Sequence, residues 1–280
     1  MLRFVLSTCA ALTLCGHLLR ADVLYQTSFE SPAFSTGAIN GQDGWQVSSN
    51  PATLFQVGSG ASAYSGAQFV AVNTATASAN GLQRAFRPQV IMPVNPPSVI
   101  RASVYASVRN NQAPTSTRVS GAGLELFAEN GTFRIASLAM RNDGLITLIN
   151  GFNQTSLSPV GAIDASVYHQ LAIEADFAAH KLKYFIDGIE LLPPGNFGVF
   201  QVEVTGFGNA SLHAARASTT SGSGLGGHTV LFDDFQLQQI PSPGALAVGA
   251  GAAGIGFRRR RISGQRVSIA GTAMSGIIGE

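Results

Sequence analysis

The sequence predicts an all-β fold over residues 22–239, built as a two-sheet antiparallel sandwich. Three observations carry this. Apolar and polar residues alternate through several short runs. Asn-Gly and Asp-Gly pairs, which suit the positive φ angles of tight hairpins, stand between those runs. No segment between them holds an apolar stripe at helical spacing.

Before the sandwich, Met1 to Ala21 has the three parts of a secretory signal. Arg3 is the basic start, Phe4 to Leu19 is mostly apolar, and Leu19-Arg20-Ala21 serves as the cleavage region. A membrane-spanning helix is the competing reading. It needs about 20 apolar residues, and this run is shorter and broken by Thr13 and His17. Leu12 to Gly16 also resembles a lipobox, although Leu14 is bulky for the position before Cys15. Both cysteines, Cys9 and Cys15, lie in this leader. The exported part therefore has no disulfide, thiolate nucleophile or cysteine metal ligand. Between Asp22 and Pro243 there are 10 basic and 14 acidic residues, a balance of −4, so the formal +2 of the whole chain comes from its ends. Nucleic acid is excluded as an expected partner, because the basic excess that binding requires is absent.

The strands follow in order. Alternation runs through Val99–Val108, Gly123–Phe127, Leu171–Phe177 and Lys181–Ile186, each with one face buried and one wet. Turns are expected at Asn40-Gly41, Asn80-Gly81, Asn130-Gly131, Asn142-Asp143-Gly144, Asn150-Gly151 and Asp187-Gly188. Pro93 to Pro97 reads as a connection and Ser218 to Gly227 as a mobile Ser/Gly/Thr-rich loop.

Tyr168-His169-Gln170-Leu171-Ala172-Ile173-Glu174-Ala175-Asp176-Phe177, followed by Lys183-Tyr184-Phe185-Ile186-Asp187-Gly188, resembles a LamG-type, concanavalin A-like jelly roll. Thr27 to Glu30 and Val230 to Phe235 resemble the first and last strands of that fold, and the resemblance implies that these two pair side by side. Asn40-Gly41-Gln42-Asp43-Gly44-Trp45 resembles the opening of exported bacterial proteins of this kind. The likeness covers most of residues 22–238 and speaks more for fold than for function.

The tail resembles a PEP-CTERM sorting signal. Pro241-Ser242-Pro243 precedes an apolar stretch, Ala245 to Phe257, expected as a hydrophobic helix, and then Arg258, Arg259, Arg260 and Arg261. The glutamate of the usual motif is missing, and the chain continues from Ile262 to Glu280 as a tail expected to be disordered. The resemblance implies an exosortase-type processing enzyme and the membrane as partners, with transient inner-membrane anchoring before release to the envelope or outside. The competing reading is a flexible linker. Residues 1–21, 22–239, 240–261 and 262–280 are thus the expected signal, sandwich, sorting segment and tail.

Chemistry in the sandwich is sparse. Glu174-Ala175-Asp176-Phe177-Ala178-Ala179 approaches the carboxylate motif of jelly-roll glucanases, but Ala179 stands where the third carboxylate is needed. Glu125 and Glu129 share a strand face only if no bulge intervenes. Asp233-Asp234 suits Ca²⁺, with Asp43 or Asp187 as partners. Alternation places adjacent aspartates on opposite faces, which favours a solvated strand end unless the strand kinks. His169, His180, His213 and His228 do not form a metal spacing. Trp45 has two readings, a sugar-stacking platform and a core residue. The expectation is a non-enzymatic exported protein whose partner is a polysaccharide. The alternatives are a divergent polysaccharide hydrolase or lyase and a purely structural surface module.

Overall fold

Alternation becomes architecture in a computed structural model that describes residues 21–48, 51–74, 82–88, 92–93, 98–110, 119–152, 155–157, 162–191, 198–217 and 228–241. The chain divides into Met1–Ser242 and Pro243–Glu280, and every described residue belongs to the first unit. Its strands are β1 (Asp22–Thr27), β2 (Gly37–Ala38), β3 (Gln46–Val47), β4 (Phe55–Ser59), β5 (Gln68–Asn73), β6 (Leu82–Phe86), β7 (Met92–Pro93), β8 (Ser98–Asn110) and β9 (Val119–Ala128). There follow β10 (Arg134–Arg141), β11 (Ile146–Ile149), β12 (Thr155–Leu157), β13 (His169–Asp176), β14 (Lys181–Ile186), β15 (Ile189–Leu191), β16 (Gly206–Ala217) and β17 (His228–Pro241). A short 3₁₀ turn, Gln42–Gly44, precedes β3.

These strands form two antiparallel sheets of a jelly-roll sandwich. The first runs β15-β14-β13-β8-β17-β5-β4-β2, with β1 also on β17, and the second runs β12-β11-β10-β9-β16-β6-β3, with β7 also on β16. First and last strands pair as expected, with Thr27 opposite Phe235 and Gln26 opposite Gln236, but the first strand is Asp22–Thr27 and not Thr27–Glu30, since Phe29 takes φ 60° and leaves the sheet. Period two decides what lies between the sheets. On β8, Ile100, Ala102, Val104, Ala106 and Val108 are buried in the core, whereas Arg101, Ser103, Tyr105, Ser107 and Arg109 take the alternate positions. Leu171, Ile173 and Ala175 of β13 and Leu124, Leu126 and Ala128 of β9 join the same core.

The expected turns hold at Gly41, Gly131, Gly144 and Gly188, which all have positive φ. Asp187 and Gly188, at φ 52° and 78°, close the β14–β15 hairpin. Gly151 does not take a positive φ. Its role is close approach, since a Cβ there would stand 2.8 Å from Phe200 Cβ. Pro93 ends an edge strand on β16 instead of lying in a connection, which suits a residue without an N–H. β17 continues through Ile240 and Pro241, opposite Val99 and Ser98, so the sandwich outlasts the expected boundary at 239 by two residues. Asn80-Gly81, the 218–227 loop, all of the 1–21 signal but Ala21, Pro243, the apolar stretch, Arg258 to Arg261 and the 262–280 tail lie outside the described residues.

A polar clamp joins the sheets at one place. Thr74, after β5, and His228, on β17, exchange hydrogen bonds at 2.9 and 3.0 Å. Ser120 of β9 meets His228 Nδ1 at 3.1 Å and the Thr74 hydroxyl at 3.3 Å. All three residues are buried. Burial holds the pKa of His228 below its ordinary value, and a neutral ring suits this network.

Candidate functional site

The outer face of the first sheet carries a cleft. Register brings it together. Gln170 of β13 lies opposite Tyr105 of β8, which lies opposite Asp233 of β17. In the next row Ser103 lies opposite Gln236, which pairs with Gln26 of β1. These rows line a cleft of about 400 Å³ whose wall includes Gln26, Ser103, Tyr105, Gln170, Asp234 and Gln236.

An aromatic cluster stands at this cleft. The Tyr64 and Tyr105 rings stack with centroids 3.8 Å apart and planes 15° from parallel. Tyr168 meets Tyr64 edge-on at 5.5 Å. Tyr64 is 46% exposed, so its ring is offered to solvent while Tyr105 supports it. The adjoining Tyr64 hydroxyl, then burial and the charges of Asp234 and Asp187, push the Tyr105 pKa up to about 12. Burial, reinforced by the Asp233 charge, raises Tyr168 as well. Both phenols stay protonated at neutral pH and are hydrogen-bond donors. The Tyr168 hydroxyl donates to Ser62 O at 2.8 Å, and Arg109 Nη1 donates to Ser62 Oγ at 2.9 Å, tying this loop to the sheet.

A kink in β17 organises the floor. Between Asp233 and Gln236 the register with β8 slips by one residue, and Asp234 takes φ 46°. Adjacent aspartates therefore do not face opposite ways, as plain alternation would have it. Both reach the same loop: Asp233 Oδ2 accepts the N–H groups of Tyr64 and Ser65, and Asp234 Oδ1 accepts the Ser65 hydroxyl. Asp233 is fully buried, and burial pushes its carboxyl up to about 6, against the pull of the three N–H bonds it accepts.

The other sequence candidates separate. Asp43 accepts the Tyr25 hydroxyl at 2.7 Å and stands 3.8 Å from Arg87. Asp187 accepts the Gln170 N–H and contacts His169 Nδ1 at 2.6 Å. Asp43, Asp187, Asp233 and Asp234 do not gather round one point, and among the described residues no three His, Cys, Asp or Glu stand where they would hold a metal ion. Trp45 takes the second of its two readings. It is fully buried, packs edge-on against Phe235 at 5.4 Å and donates Nε1–H to the Tyr25 hydroxyl at 3.0 Å. A ring with no exposed face cannot stack on a sugar, so Trp45 is a core residue. Glu174 pairs with Arg101 at 2.6 Å, and Arg101 lies over Phe185 at 4.9 Å. Glu129 lies beyond the end of β9 and accepts the Gly206 N–H at 2.9 Å. Sequence reasoning missed Tyr64, Tyr105 and Tyr168. The signal for Tyr105 was there, as a tyrosine on the polar side of the alternating β8 run.

No protein-family model matches the chain, and no curated protein matches it. Solved structures do resemble it in fold. LamAcat from Zobellia galactanivorans matches with a TM-score of 0.48 and 10% identity over 77% of this chain and 96% of its own. The carbohydrate recognition domain of Emp47p matches with a TM-score of 0.44 and 10% identity over 78% and 96%. A sialidase matches with a TM-score of 0.44 and 9% identity over 69% of this chain, which spans 17% of the sialidase. At 9–10% identity the likeness is one of sheet arrangement.

Proposed function

We propose that this protein is a non-enzymatic, carbohydrate-binding, LamG-like jelly roll that works at the cell envelope or in the extracellular matrix. The observation that carries the reading is the exposed Tyr64 ring, stacked on Tyr105 beside a cleft lined by amides and hydroxyls. Aromatic rings cover the apolar face of a sugar, while Gln26, Gln170, Gln236 and Ser103 offer donors and acceptors to its hydroxyls. Glycan-array binding by the wild-type protein, repeated with Tyr64→Ala, tests it. Binding that is lost in the variant supports the reading, and a wild-type protein that binds no glycan overturns it in favour of a purely structural surface module.

Export and sorting belong to the same proposal and rest on the residues of the two ends. The signal at 1–21 and the Pro241-Ser242-Pro243, apolar and Arg258 to Arg261 segments support delivery through the inner membrane and processing by an exosortase-type enzyme. Truncation after Ser242 leaves β17 whole and is expected to change the cellular fraction in which the protein is found. The hydrolase or lyase alternative predicts activity on a polysaccharide panel that Glu174→Gln abolishes without unfolding. Against it, Glu174 is engaged by Arg101 at 2.6 Å and Asp176, two residues along, accepts the Ala178 and Ala179 N–H groups.

A further inference from the structure

The outer face of the second sheet gathers a second, chemically different group of side chains. Register sets it. His213 of β16 lies opposite Arg84 of β6 on one side and Gly123 of β9 on the other. Two residues along, Ser211 lies opposite Glu125, and Glu125 lies opposite Ser137 of β10. Glu125 is fully buried, and both its oxygens are taken, Oε2 by Arg84 Nε and Oε1 by Arg134 Nη1 at 3.0 Å. Arg84 also lies over the Phe127 ring at 5.1 Å, and it is 32% exposed where Glu125 is not exposed at all. The arginines are thus the rim and the carboxylate the floor.

Among the described residues, two guanidiniums and one carboxylate leave a charge of +1. His213 does not add to it: burial, against the pull of the Glu125 charge and with the help of Arg84 and Arg134, holds its pKa below the ordinary value. Glycine in a central strand weakens it, yet β9 has one at 123, and a Cβ there would come within 2.1 Å of His213 Cε1. The strand gives up a side chain to seat this ring. Two buried polar atoms of the group, His213 Nδ1 and Ser211 Oγ, have no partner among the described residues, although both residues are at least 98% buried. Unmet donors inside a protein are costly, and a native fold keeps few of them.

We propose that Arg84, Ser211 and His213, with Arg134 and Glu125 as their electrostatic support, form a binding site for a carboxylate. A monoanion matches the net charge of +1, whereas a phosphate dianion would leave excess negative charge against Glu125. The planar guanidinium fork suits the planar carboxylate. Ser211 O–H and an Nδ1–H tautomer of His213 complete a set of donors within one register step of each other. The carboxylate comes either from a small free acid or from a uronate unit of a polysaccharide. This site is on the other sheet from the tyrosine cluster and stands or falls without it.

The test is a titration of the ¹⁵N-histidine-labelled protein, followed by NMR, with acetate, galacturonate, polygalacturonate and, as a neutral control, galactose. Saturable movement of the His213 ring nitrogens with the carboxylates but not with galactose is expected. Arg84→Gln is expected to weaken that response at least about tenfold, as loss of a charge-assisted bond does, and Tyr64→Ala is expected to leave it unchanged. Movement with acetate and galacturonate alike identifies a site for small acids. Movement with galacturonate and its polymer alone identifies a uronate site. His213 signals that ignore every carboxylate, or that respond equally to galactose, overturn the proposal, and this wild-type comparison decides the matter even if Arg84→Gln does not fold.

Discussion

Asp233 holds Tyr64 in place: the buried carboxylate accepts the Tyr64 N–H at 2.9 Å and the neighbouring Ser65 N–H at 3.1 Å. The platform of the proposed glycan site is therefore anchored from beneath by a residue that a ligand does not touch. Removing the carboxylate strands two loop N–H groups. Asp233→Ala is expected to cost about 1–3 kcal/mol of stability, read by urea denaturation. Hydrogen exchange at the Tyr64 and Ser65 amides should rise with it, and unchanged protection there would contradict the anchoring role.

Tyr64→Ala separates binding from stability. The ring is nearly half exposed, so the variant should fold as the wild type does. An aromatic contact contributes about 0.5–1.5 kcal/mol, which corresponds to a loss of roughly two- to tenfold in glycan affinity by calorimetry. Tyr105→Ala should lose at least as much, because it removes the ring on which Tyr64 rests.

The hairpin of β13 and β14, the Asp187-Gly188 turn and the β1–β17 pairing were legible because each depends on neighbours in sequence or on a recurrent strand pattern. Trp45 was not. Its burial is decided by Phe29, Phe235 and Tyr25, and Phe235 lies nearly two hundred positions away. The kink in β17 left a trace that alternation alone overlooked. Val230, Phe232, Phe235 and Leu237 are all buried, and the step from 232 to 235 breaks period two by one residue. That extra residue is the bulge that turns both aspartates toward Ser65. The Arg84, Glu125 and His213 group comes from three separated strands, so no local pattern announces it.

Stability should depend on pH through opposed groups: His213 and His228 have folded pKa values below the ordinary one, and that of Asp233 is raised. His228 has a folded pKa below its unfolded value, about 6.5. Its contribution is therefore present above about pH 6.5 and lost as pH falls through the lower folded value. Asp233 runs the other way. Its folded pKa is raised to about 6, so its contribution is present below about pH 4 and lost as pH rises through 6. His228→Gln is expected to lessen the acid limb of the stability profile, which His213 shares, and Asp233→Asn to flatten the neutral limb, in urea titrations across pH 4 to 8. A wild-type profile whose acid limb survives His228→Gln unchanged would assign that limb to other groups.

Gly123→Ala probes whether the seat of His213 is as tight as the geometry requires. The new methyl group would stand 2.1 Å from His213 Cε1 and 2.7 Å from the Leu138 carbonyl oxygen. The ring can move but the backbone of β10 cannot move cheaply, so overpacking should cost about 1–3 kcal/mol. Gly188→Ala is the control. Its Cβ meets nothing within 4 Å and only the positive φ of 78° opposes it, so the cost should be nearer 1 kcal/mol. Pairing Gly123→Ala with His213→Ala should recover part of the loss, because the methyl group then has the ring's space. Additive losses in that double variant, measured by thermal or urea unfolding, would place the clash on Leu138 instead of His213.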